Sequence, residues 1–390
     1  MIARTDLTEL SRLLKVNPAV AILGARQIGK TTLAKLYASS SRKKTLYLDL
    51  ELESHYNRLQ QDAESYLLRN KDKLIIIDEV QRMPKLFALL RALIDVDRKP
   101  ARFLLLGSSS PHLIKGVSES LAGRIAYLDI GGINLLEAQK NKINQQTLWF
   151  RGGFPPALLA KTNKDAQDWC NQLVKSYTER DMSDLFGVEF SSVVLKNFWS
   201  MLAHHNGSIW NKEIYARSLS VSSPTVSRYL EYMEGAFLIT RLLPWFVNSK
   251  KRLVKAPKIY MKDTGILHTL IKSPDIDELA GHPNVGLSWE AFVIEQVRQT
   301  KPDHLDMYYY RTHQGAESDI VLVKGMRPVA CIEIKLSNAP QISKGFYQSI
   351  ADLKTKNNFV LIPSGDSYPM ADKIMTYNLS EFIEKQLRRL

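Results

Sequence analysis

Three runs of consecutive apolar residues mark the first third of the chain. They are Val20-Ala21-Ile22-Leu23, Leu74-Ile75-Ile76-Ile77 and Phe103-Leu104-Leu105-Leu106. Runs without alternation suit strands buried on both faces, as in a parallel sheet covered by helices. The stretch Thr32-Leu33-Ala34-Lys35-Leu36-Tyr37-Ala38 after the first run reads as helix. Arg151-Gly152-Gly153-Phe154-Pro155-Pro156 then breaks the pattern, as clustered Gly and Pro do. A first unit is therefore expected over residues 1–145. Helical spacing resumes over 165–202. Residues 211–219 and 223–233 read as two helices joined by the turn Ser220-Val221-Ser222, with Ser223 as N-cap and Pro224 at the first helical position. Strand-like 237–242 and 258–261 could add a wing, which predicts a winged helix-turn-helix within a second unit, 146–275. The third unit, 276–390, starts with an amphipathic helix over 288–295. Strands are expected at 308–312, 317–323, 329–335 and 359–363, with a tight turn at 324–328.

The first apolar run leads into Gly24-Ala25-Arg26-Gln27-Ile28-Gly29-Lys30-Thr31, followed by Thr32. This fits G-x-x-x-x-G-K-[ST], and strand, loop, helix is the context the motif needs. Its backbone N–H groups can point at phosphate oxygens, with the helix N-terminus adding partial positive charge. Lys30 is expected to neutralise the β- and γ-phosphates of ATP, and the Thr31 hydroxyl to ligate Mg²⁺. The second run ends in Asp78-Glu79, at the sheet edge where α/β ligands bind. Asp78 suits Mg²⁺, and Glu79 suits polarisation of the attacking water. The third run ends in Gly107-Ser108-Ser109-Ser110. Ser108, or Ser109 after it, can orient that water; the alternative is a helix N-cap cluster before Pro111.

These motifs, with Asp78-Glu79-Val80-Gln81 and Ser120-Leu121-Ala122-Gly123-Arg124, resemble the AAA-type P-loop ATPases of bacteria and archaea. The resemblance implies a parallel sheet in the order 5-1-4-3-2, ATP or ADP with Mg²⁺ as ligands, and Arg124 as an arginine finger. A finger acts on a neighbour's γ-phosphate and so predicts a homo-oligomer. A surface arginine is the alternative. Lys251-Arg252, Lys255-Ala256-Pro257-Lys258, Tyr260 and Asp263-Thr264-Gly265 extend the likeness into the family's second domain, which has no assigned function.

The order of elements in the last third resembles the PD-(D/E)xK nuclease core. Glu290 falls on its helical acid, Asp319 on its metal aspartate, and Glu333 and Lys335 on E-x-K, with Gln348 on the following helix. Two carboxylates, metal-activated water and a lysine could together cleave a phosphodiester. Ser318 precedes Asp319 where that motif has proline, and a fold that no longer cuts is the competing reading.

Lys and Arg number 53 against 40 Asp and Glu, for a net charge of +13. This is compatible with nucleic acid. Residues 248–262 carry Lys250, Lys251, Arg252, Lys255, Lys258 and Lys262 and no acid. Beside a helix-turn-helix exposing Ser222, Thr225 and Arg228, they could form a phosphate-binding face; an internal scaffold is the other reading.

The start MIARTDLTELSRLLK has no apolar signal core, and no run is long enough to span a membrane. Cys170 and Cys331 suit a reducing cytoplasm. The expectation is an α/β multidomain protein: a P-loop sheet, a winged-helix middle and a restriction-endonuclease-like end. Its expected activity is Mg²⁺-dependent ATP hydrolysis, acting on or responding to DNA. An ATP-dependent nuclease and a nucleotide-gated DNA-binding or adaptor protein remain alternatives, as does a protein partner.

Overall fold

The computed structural model of the chain describes residues 2–109, 123–246 and 253–390. The apolar runs are strands: β1 (Ala19–Leu23), β2 (Thr45–Asp49), β3 (Leu74–Asp78), β4 (Phe103–Gly107) and β5 (Ile125–Asp129). They form one parallel sheet in the expected order, β2-β3-β4-β1-β5. β1, β3 and β4 are buried at every position. One face packs Ala21, Ile75 and Ile77 against Leu90 and Ile94 of the helix Leu86–Val96. The register is flush: Ala19 pairs with both Phe103 and Ile125, and Leu23 with Gly107 and Asp129. The carboxyl ends therefore share one edge, where Gly24, Glu79 and Ser108 follow their strands. Arg124 precedes Ile125 and lies at the opposite edge.

The other face of the sheet does not close on its own helices. Val20, Ile22, Leu104 and Leu106 belong to a core that continues through Leu173, Tyr177, Phe198 and Trp199 to Leu230 and Ile259. The helical unit is thus welded to the P-loop sheet by one hydrophobic interior. Within it, helices Lys212–Leu219 and Ser223–Gly235 precede β6 (Ile239–Leu242) and β7 (Lys258–Met261), an antiparallel pair. The two helices and two strands expected in this region are thus present as elements. The cap differs by one residue. The Ser222 side chain, not that of Ser223, accepts from the Thr225 amide, so Pro224 stands at the second helical position.

The glycines at 152–153 serve a close joint. Asp263 caps the helix Thr264–Leu270 by accepting from Ile266 N–H, and its other oxygen accepts from Gly153 N–H at 2.7 Å. A Cβ on Gly152 would collide with that carboxylate, and one on Gly265 with the Arg151 carbonyl. The two backbones meet because neither carries a side chain there.

The C-terminal sheet has six strands: β8 (Leu305–Arg311), β9 (Glu317–Lys324), β10 (Arg327–Ile334), β11 (Asn357–Ile362), β12 (Tyr368–Ala371) and β13 (Ile374–Asn378). Their order is β12-β13-β11-β10-β9-β8. β8, β9 and β10 are antiparallel, and β10 runs parallel to β11. The helix Val285–Thr300 covers one face through Trp289, Phe292 and Val293, in a core shared with Ile133 and Leu135. The helix Lys344–Leu353 covers the other through Phe346.

Overpacking a tight contact costs roughly 1–3 kcal/mol. Gly265→Ala should lower the unfolding midpoint in urea accordingly. At Gly281 an added Cβ meets nothing within 4 Å, so Gly281→Ala should leave that midpoint unchanged or raise it.

Candidate active site

Gly29 ends the phosphate loop at φ +107, and Lys30 opens the helix Lys30–Ser40. That left-handed φ favours glycine and brings the Lys30 side chain under the loop. Lys30 is 5% exposed, and its ammonium donates to Gly24 O at 3.0 Å, Ala25 O at 2.9 Å and Ser108 Oγ at 2.8 Å. Its direct partners are uncharged, so burial dominates and lowers its pKa to about 8, opposed by Glu79 and Asp78. Ser108 passes the chain on, donating to Glu79 Oε1 at 2.9 Å. Thr31 Oγ1 donates to Asp78 Oδ2 at 2.6 Å.

Several partners were hidden from the sequence. Tyr47, on the neighbouring strand, also donates to Asp78 Oδ2, at 2.6 Å. Gln81 donates its amide to Glu79, and its own Oε1 is buried without a partner. Ser109 Oγ is likewise buried and unpartnered. Arg26 reaches out of the P-loop sheet altogether. Its amide donates to Tyr177 OH at 2.8 Å, and its guanidinium pairs with the 2% exposed Asp181. Tyr177 and Asp181 bound a single wide helical turn in the helical unit. A cleft of ≈ 920 Å³ opens above, lined by Arg26, Gln81, Arg82 and Arg180 among others. Gln81 stands in the D-E-x-Q motif, which was its signal; Tyr47, Tyr177 and Asp181 had none.

Of the loop residues, Ala25 and Ile28 are buried in the core, while Gln27 and Thr32 are exposed. Arg124 pairs with Asp95 at 2.6 Å. It cannot reach its own chain's loop, because β5 lies between them. The residues fit Mg²⁺ with a nucleotide phosphate: a hydroxyl and a carboxylate meet at Thr31 and Asp78, beside a buried ammonium.

The C-terminal residues also converge. A cleft of ≈ 550 Å³ is lined by Glu290, Asp319, Glu333 and Lys335, with Lys258 and Glu317. Lys335 pairs with Glu333 Oε1 at 2.8 Å, and Asp319 Oδ2 accepts from Ile334 N–H at 2.8 Å. Burial, then the charge of Glu290, raises the Asp319 pKa to about 7 against the pull of Lys258. Gln348 stands apart and donates to Asp352 at 2.8 Å.

The basic run divides. Lys255 is exposed, whereas Lys258 is buried among these carboxylates. Lys262 is half-buried beside the Phe237 ring, and burial lowers its pKa to about 8. Lys258 is therefore not part of a surface phosphate-binding face. Lys250, Lys251 and Arg252 lie outside the described residues, as do Ser110 and residues 120–122. On the helix Ser223–Gly235, Arg228 is exposed and Thr225 half-buried, its hydroxyl 2.8 Å from that of Ser222.

A parallel sheet in this order, carrying this loop and acidic pair, defines a P-loop ATPase fold of AAA type. Family models agree: an AAA domain matches residues 16–138, a domain of unknown function (DUF8612) residues 143–277, and a second (DUF4143) residues 285–382. Uncharacterized proteins of Mycobacterium tuberculosis and Mycobacterium bovis are each 37% identical over 377 residues, 96% of this chain and 83% of theirs. The chain belongs to their family, AAA-type P-loop proteins with a C-terminal domain of unknown function. Among solved structures, the Walker-type ATPase PABY2304 of Pyrococcus abyssi has a TM-score of 0.45 at 14% identity, covering 70% of this chain and 96% of that one. The RuvB Holliday junction branch migration motor of Thermotoga maritima scores 0.31 at 19% identity, covering 62% and 90%.

The depressed Lys30 pKa has a sign. Only the charged form attracts phosphate, and a bound phosphate raises the pKa again. Nucleotide affinity should hold below pH about 8 and weaken above it, by about tenfold per pH unit for one linked proton. Fluorescent-nucleotide titrations across that range would check this. Lys30→Arg should lose the inflection if it still binds, because arginine stays charged.

Proposed function

We propose that the chain is a Mg²⁺-dependent ATPase that acts on or responds to DNA. The observation carrying the hydrolytic part is the continuous chain Lys30–Ser108–Glu79, with Thr31 on Asp78 alongside it. Lys30 would neutralise the β- and γ-phosphates, and the loop amides would orient them. Thr31 and Asp78 would hold Mg²⁺, which supplies positive charge to the phosphate oxygens. Glu79 would hold the attacking water and take its proton as its oxygen bonds to the γ-phosphorus and the bond from that phosphorus to the ADP oxygen breaks. Ser108 keeps the Glu79 carboxylate and the Lys30 ammonium in fixed relation. Gln81 holds Glu79 from its other oxygen.

Loss of a general base typically costs about 10²–10⁴-fold in rate. Glu79→Gln should therefore lose turnover by that order while still binding ATP, and Lys30→Ala should lose binding. Hydrolysis equal to wild type in Glu79→Gln would sink the assignment. Turnover negligible in the wild type would favour the nucleotide-gated adaptor.

The DNA part is supported by the net charge of +13 and by Arg228 and Lys255, exposed on the helix-turn-helix and its wing loop. Arg228→Glu should weaken duplex binding and reduce the salt slope by about one. Unchanged binding and slope would remove Arg228 from the interface and turn the search to a protein partner.

Arg124 is proposed to act between subunits of a homo-oligomer, since the opposite sheet edge puts it beyond its own nucleotide. Mixing inactive Glu79→Gln with inactive Arg124→Ala subunits should restore part of the hydrolysis. A mixture as inactive as its components would count against a finger in trans.

A further inference from the structure

The C-terminal cluster has the composition of a divalent-metal site, yet its residues do not fit a metal as they stand. Among the described residues no three His, Cys, Asp or Glu converge as a ligand set. The position between them is taken. Lys258, from β7 of the helical unit, puts its ammonium 3.4 Å from Glu290, 3.1 Å from Glu317 and 3.8 Å from Asp319. Its side chain is 6% exposed. The Tyr309 ring covers it, with its centroid 5.6 Å away. Tyr260 lies two residues on, hence on the same face of β7, and donates its hydroxyl to Glu290.

Each acid is also committed elsewhere. Asp319 Oδ2 holds Ile334 N–H, Glu333 Oε1 holds Lys335, and Glu317 Oε1 meets Arg311 at 3.4 Å. Glu333 Oε2 is buried without a hydrogen-bond partner, but one oxygen does not chelate. A divalent ion would need several oxygens at about 2.0–2.6 Å from one point. It would also have to enter against an ammonium already at the centre.

We propose that Lys258 is the resident cation of this cluster. It stands between Glu290, Glu317 and Asp319, the expected metal aspartate, so these carboxylates form a receptor that fastens β7 to the C-terminal unit. The cluster binds no divalent ion while Lys258 is in place. Exchange would require β7 to withdraw, so a metal and the fastening exclude each other.

The test uses the full-length chain without nucleotide and Mn²⁺ as the probe, followed by calorimetry and by thermal unfolding. The wild type should show no Mn²⁺ site that Asp319→Asn removes. Lys258→Met leaves buried carboxylates uncompensated and should lower Tm. Mn²⁺ should raise that Tm again by binding one site about tenfold or more tighter than in the wild type. Adding Asp319→Asn should abolish the gained site, which separates it from any binding at Thr31 and Asp78. A wild-type Mn²⁺ site lost in Asp319→Asn would overturn the proposal whether or not Lys258→Met folds. So would Mn²⁺-dependent DNA cleavage lost in Asp319→Asn, or a folded Lys258→Met that gains no affinity.

Discussion

An ammonium taken out of water must be surrounded by oxygen, and Lys30 and Lys258, both buried, meet that demand in opposite ways. Lys30 finds two carbonyls and a hydroxyl. Those partners are neutral, so its charge is held at a cost and a phosphate would relieve it. Lys258 finds carboxylates. Burial works against its charge, but Glu290, Asp319 and Glu317 outweigh it and raise its pKa above the ordinary lysine value. One lysine is left needing an anion; the other is already satisfied. The same chemical group thus marks a site suited to a ligand in the first unit and a contact between the second unit and the third.

Much of the first unit was legible because its chemistry is local. The phosphate loop is contiguous, and the acids follow directly on a buried strand, so strand order and edge placed them together. The four C-terminal residues were also readable, since period-two alternation brings Glu333, on β10, and Lys335, just past its end, to one side. What stayed hidden depends on partners far off in sequence. Arg26 meets Asp181 across 155 positions. Lys258 read as one more charge in a basic run, although its two-residue spacing from Tyr260 could have marked a strand face. Composition counts a charge without saying which way it points.

The glycine-rich stretch shows how a pattern break can mean contact rather than separation. Residues 151–153 and 263–265 approach so closely that side chains are excluded, and the Asp263 carboxylate bridges both segments. Burial raises the Asp263 pKa to about 6, while four backbone amides oppose the shift. The shared core around Tyr177 and Trp199 joins the helices to the sheet, and the single wide turn Tyr177–Asp181 sits at that junction.

The grip of Tyr177 and Asp181 on Arg26 lies on such a turn. It makes the phosphate loop a shared part of two units. Coupling through a shared part is reciprocal. Whatever free energy a nucleotide spends in shifting that turn, a load applied to the helices returns to the nucleotide as a change in affinity of the same factor. A nucleotide that shifted the turn would make the loop a gauge of strain in the helical unit as well as a cradle for phosphate.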